Sequence, residues 1–122
     1  MTRVAAGQRG LSESVQWAAL GAALLAALLA LIESGLVLNA RTVAARAALT
    51  AAQAQAVWRA PPDVGRRAAA DTAARGGLAD VDVAVTVNGG FVTVRVRAAA
   101  PTLVGWVEPR VQAEATYPLE VP

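Results

Sequence analysis

Nineteen consecutive residues without a charge, Ser14 to Ile32, constrain this chain more than any other stretch: Ser-Val-Gln-Trp-Ala-Ala-Leu-Gly-Ala-Ala-Leu-Leu-Ala-Ala-Leu-Leu-Ala-Leu-Ile. At about 1.5 Å per residue, a helix of this length matches the hydrocarbon thickness of a bilayer. The chain has 122 residues, so removing this segment and its continuation leaves only about sixty for a folded domain. A core that thin leans on the helix or on a partner.

Composition excludes several classes. Net charge is +2, and arginine replaces lysine throughout. The arginines are dispersed, which argues against nucleic-acid binding. Cysteine and histidine are absent. That removes disulfides, thiolate nucleophiles, imidazole bases and Cys/His zinc sites. The only serines, Ser12, Ser14 and Ser34, lie in or beside the apolar segment. Gly76-Gly77 and Gly89-Gly90 read as turns and not as phosphate-binding loops. Asp80 and Asp82 share a strand face, but Arg97 is the expected partner of Asp82, so an acid/base pair is not expected. No catalytic, metal or cofactor site is expected.

Arg3 and Arg9 precede the span, which predicts a cytoplasmic N-terminus, a single pass through the cytoplasmic membrane and a C-terminal domain outside. Arg41 and Arg46 follow it, so the charge bias is incomplete. A cleaved secretory signal is the rival reading. Against it, helical character continues through Glu33-Ser-Gly-Leu-Val-Leu-Asn-Ala40 without a stop.

Three zones follow: a polar leader over 1–10, one helix over 11–60 ended by Pro61-Pro62, and an α+β head over 61–122. On a helical wheel Ala18, Ala19, Ala22, Ala23, Ala26, Ala27 and Ala30 take one half-circle. Leu20, Leu24, Leu25, Leu28, Leu31 and Ile32 take most of the other, and Gln16 and Glu33 fall on the alanine side. Small residues let helices approach closely, and polar groups among them can bond across. The alternative is a generic anchor from an alanine-rich genome, with Glu33 merely reaching the headgroups. Beyond the span, Leu36, Val43, Ala47, Thr50, Ala54 and Val57 form the stripe expected to carry the head.

In the head, Asp63 is the expected N-cap of a helix reaching Arg75, with Gly76-Gly77 as its stop. Arg67, Asp71 and Arg75 are spaced for i,i+4 ion pairs. Period-two alternation then sets in. Val81, Val83, Val85 and Val87, the turn Gly89-Gly90, and Val92, Val94 and Val96 predict a hairpin. Its register places Asn88 opposite Phe91, Val87 opposite Val92, Thr86 opposite Thr93 and Asp82 opposite Arg97. Pro101 to Pro109 reads as a loop, and residues 110–117 as a third strand whose Val111, Ala113, Ala115 and Tyr117 share a face. The predicted fold is a long N-terminal helix, a short helix and a small three-stranded antiparallel sheet.

The Arg9-Gly10 junction, the polar stretch after it, the apolar helix and the small head together resemble the TadE/TadG-like pseudopilins of the Tad (Flp) pilus system, a type IV pilin-like family. The resemblance is one of layout over nearly the whole chain. It implies a prepilin peptidase that cuts after Gly10 and leaves Leu11 as the new N-terminus. It also implies that the family's glutamate-aromatic pair falls on Gln16-Trp17, with Glu13 acidic but without the aromatic neighbour. In the family that glutamate pairs with a neighbouring subunit's terminal amine, whereas a neutral Gln can only hydrogen-bond. The implied partners are other pilin-like subunits, a membrane assembly platform, the peptidase and the lipid bilayer. The implied assembly residues are Glu13, Gln16, Trp17, Ala18, Ala22, Ala26, Ala30 and Glu33. A minor or tip subunit, an uncleaved membrane assembly factor and a single-pass envelope scaffold that never enters a fibre all remain consistent with these residues.

Overall fold

The computed structural model describes residues 2–121, with side-chain environments from Gly10 onward. The fold is α+β. Helix α1 (Thr2–Ala56) is followed by α2 (Val64–Arg75) and strands β1 (Ala79–Asn88), β2 (Phe91–Ala99) and β3 (Arg110–Pro118). The chain divides into two compact units, one ending at Glu33 and the other beginning at Ser34. The second unit, the head, therefore includes the last part of α1.

α1 also takes in the backbone of the residues expected as a leader. It stops at Ala56, short of the expected residue 60. Val57 to Arg59 form a turn, closed by the Ala60 N–H to the Val57 carbonyl at 3.0 Å, with Arg59 at φ 59°. Ala60 precedes Pro61, which disfavours helical backbone there. The C-terminal segment then occupies the vacated helix end. Glu120 N–H donates to the Ala56 carbonyl at 2.9 Å, and Trp58 N–H donates to Glu120 Oε2 at 3.3 Å.

The sheet order is β1-β2-β3, antiparallel throughout. The hairpin register is the expected one at all four pairs, and Gly89 and Gly90 both have positive φ, 61° and 81°. Two consecutive positive φ values define the turn whose twist matches that of the strands. Gly89→Val puts a β-branched residue where φ must be positive. We expect a loss of about 1–3 kcal/mol by the usual scale of local backbone strain, read as an earlier urea midpoint of the head in detergent. An unchanged midpoint would show that the turn tolerates a side chain.

Some cross-strand partners differ from expectation. β2 is the central strand, so its outward side chains have neighbours on both sides and take those on β3. Arg97 Nε donates to Gln112 Oε1 at 3.0 Å and forms no ion pair with Asp82, which lies at the register shift between Ala79 and Asp82. Thr93 is bonded to Thr116 at 3.1 Å, and Arg95 donates through Nε and Nη2 to Glu114 Oε2 at 3.2 and 3.0 Å.

The inner sheet face is led by Val92, Val94 and Val96, fully buried, with Val111 beside them. The helical layer over them is almost all alanine: Ala40, Ala44, Ala47, Ala48, Ala51, Ala52 and Ala56 from α1, and Ala69 and Ala73 from α2. This corrects the expected stripe. Of its members only Ala47 is buried, while Thr50 and Val57 are exposed. Hydropathy favours the larger residues, but α1 and α2 approach too closely to hold them. Gly65 in α2 and Gly76 at its C-cap record that approach. A Cβ on Gly65 would stand 3.0 Å from Gln55 Cβ and 3.1 Å from the Ala51 carbonyl oxygen, and one on Gly76 would overlap the Val43 methyls.

The ends of α2 follow from the same packing. Asp63 occupies the N-cap position but makes no side-chain cap bond and pairs instead with Arg67 at 2.6 Å. The capping acceptor comes from α1: Gln55 Oε1 accepts from Gly65 N–H at 3.0 Å, while Gln55 Nε2 donates to the Pro61 carbonyl at 3.2 Å. At the other end Leu78 N–H reaches the Ala73 carbonyl and Gly77 N–H the Ala74 carbonyl, with Gly77 at φ 85°. This is the Schellman arrangement, and buried Leu78 and Ala73 supply its apolar contact. Asp71 pairs with Arg75 at 3.0 Å. Both α2 ion pairs are exposed and add only a few tenths of a kcal/mol.

Candidate functional site

Among the described residues no group of three or more His, Cys, Asp or Glu is placed to hold a metal ion. The candidate site is a surface, the apolar part of α1. Every described residue from Gly10 to Ile32 is exposed, including Leu11, Trp17, Leu24, Leu25 and Leu31. The most apolar eighteen-residue window of α1 has a mean hydropathy of 2.2, and none of it is buried. A helix that is apolar on all sides, with nothing packed on its described residues, suits an apolar solvent. It is a single N-terminal candidate anchor, long and apolar enough to cross a membrane.

The residues expected to take part in assembly fall on this helix. Ala18, Ala22, Ala26 and Ala30 recur every four residues and form one row along it. Glu13, Gln16 and Trp17 come together with Leu20 around one shallow groove. The i,i+3 and i,i+4 spacing brings them together, as it would on any helix. Glu33, half-buried, is the last residue of this unit. At the expected processing junction, Gly10 and Leu11 are helical and exposed, while the side chain of Arg9 lies outside the described residues.

Sequence reasoning missed a second surface, on the head. Val57, Trp58, Arg59, Val87, Leu119 and Val121 line an open groove at the end of the head where α1 stops. Trp58 is 51% exposed, and Arg59 lies over its ring at 5.8 Å from the centroid. Three segments far apart in sequence build this groove. The only local signal was a tryptophan in the short turn before Pro61-Pro62. No family model, curated protein or solved structure matches the chain.

Proposed function

We propose that this protein is a structural assembly subunit, a minor pseudopilin of a Tad-type pilus or of a related secretion machine. It sits in the cytoplasmic membrane by one N-terminal helix, with its N-terminus in the cytoplasm and its head outside. The observation that carries the reading is the uncovered apolar run of α1 directly after Arg9-Gly10, with a row of alanines along it, joined to a small α+β head. The alanine row packs on sibling helices, the leucines meet lipid or a second partner, and prepilin peptidase releases Leu11 as the new N-terminus.

N-terminal sequencing of the membrane-extracted protein tests processing. A mature chain starting at Leu11 is expected, and one starting at Met1 or Thr2 removes the processing step. Assembly is tested separately by Ala22→Leu with Ala26→Leu. Leucine suits lipid, so insertion is kept, but the added bulk holds partner backbones apart. Crosslinks between span helices should fall several-fold. Equal yields from the double variant and the parent would mark the alanine row as generic.

One observation favours a second reading. Gln16 stands where the pilin-like family has glutamate, which removes the charge that pairs with a neighbour's amine. On that reading the protein is a single-pass envelope scaffold that binds a partner without entering a fibre. Recovery from sheared pilus fractions supports the subunit; retention in the membrane alone supports the scaffold.

A further inference from the structure

The loop Pro101–Pro109 lies at the end of the head where α1 enters it. Helix α2 runs back along α1, with Gly65 level with Ala51 and Gln55, and Gly76 level with Val43. β1 begins three residues after Gly76, and its first residue, Ala79, pairs with Ala99 at the end of β2. The hairpin turn belongs to the opposite end: Gly90 accepts from Leu119 N–H at 2.9 Å, and the next residue, Glu120, bonds Ala56. Ala99 and the loop after it are therefore level with Val43. Val43 lies only nine helical steps, about 14 Å, from Ser34, the first residue of the head.

The loop is apolar where a solvated connection would be polar. Trp106 is 88% exposed, Leu103 56% and Val107 43%. It also satisfies backbone groups internally. The Thr102 hydroxyl is within 3.1 Å of both the amide and the carbonyl of Val104, Val107 N–H donates to the Val104 carbonyl at 3.1 Å, and Ala100 N–H closes the loop on Pro109 at 2.8 Å. Each backbone group satisfied within the loop lowers the cost of resting at an apolar depth.

We infer that this loop is a second lipid contact, with Trp106, Leu103 and Val107 seated in the interfacial layer of the bilayer that α1 spans. An indole suits that layer, because its ring is apolar and its N–H can meet headgroup oxygens. The tether selects lipid over a protein partner. The head is tethered at this end through Ser34, so on the anchoring reading the loop meets lipid at a high effective concentration. Glu108 within the loop and Arg110 just after it offset each other in charge. Apolar content therefore drives the contact, and zwitterionic lipid suffices.

The inference rests on the anchoring reading, and single-tryptophan variants of the full chain separate the two. Trp17→Phe with Trp58→Phe leaves Trp106 as the only indole; Trp58→Phe with Trp106→Phe leaves Trp17. Each is reconstituted into phosphatidylcholine vesicles with and without brominated acyl chains. Trp106 emission should shift to the blue relative to the urea-unfolded protein, lose quenching by iodide and gain quenching by bromine placed near the headgroups. Full iodide quenching of Trp106 without bromine quenching, while Trp17 is quenched by bromine, overturns the loop contact and leaves the anchor standing. Protection of Trp106 that disappears on dilution in lipid, without bromine quenching, assigns the loop to a second copy of the chain and also overturns it. Absence of bromine quenching at Trp17 overturns both.

Discussion

Arginines in place of Leu24 and Leu28 will release the protein from the membrane fraction. Both leucines are exposed on α1 in the middle of the uncharged run. A charged side chain at the centre of a span costs about 2.5–3.5 kcal/mol on insertion scales. Two cost about 6 kcal/mol, on the order of ten-thousand-fold against insertion. The matched control, Leu24→Ile with Leu28→Ile, should remain in carbonate-washed membranes. If the double arginine variant stays in that pellet, or the parent protein is a soluble monomer without detergent, α1 is not an anchor and the functional reading falls with it.

The second large effect is expected at Gly76. Its φ of −81° is open to any residue, so an alanine there brings no backbone strain. The Cβ has no room: it would overlap Val43 Cγ1 and sit 2.8 Å from Cγ2. Overpacking of this kind costs about 1–3 kcal/mol. Each kcal/mol is worth roughly 4–8 °C of melting temperature in a domain of this size, so Gly76→Ala should melt about 10 °C lower in detergent. Val43→Ala removes the obstructing methyls, and Gly76→Ala with Val43→Ala should recover much of the loss. Such recovery is the mark of a contact between two side chains. If the second substitution adds to the damage, the close approach of α2 to α1 is misplaced.

Local signals read well. The hairpin was legible to the residue because Gly89-Gly90 fixes its register, and period-two valines then fix which face is buried. The long apolar helix, a candidate anchor, was legible because nineteen uncharged residues run without a break. The head's helical face was not. Hydropathy ranks Leu36, Val43 and Val57 above alanine, but the space between layers selects for small size, and Ala40, Ala44, Ala48 and Ala52 fill it. Gly65 and Gly76 carry no sign in sequence that their missing side chains admit a neighbouring helix. The cap of α2 escaped notice for a related reason: Gln55 is ten residues from the amide it serves. Of the candidate site, the apolar helix and its alanine row could be read from the chain. The Trp58 groove could not, because residues near 58, 87 and 120 meet only after folding.

The bond between Glu120 and the end of α1 bears on how the head is made. Trp58 and Glu120 are separated by 62 positions, so the ribosome supplies the clasp several seconds after the helix it fastens, at common elongation rates. For the first part of that interval, until β2 has been made, the alanine bed of α1 has no sheet over it. Until Glu120 is made, the end of α1 lacks its fastening.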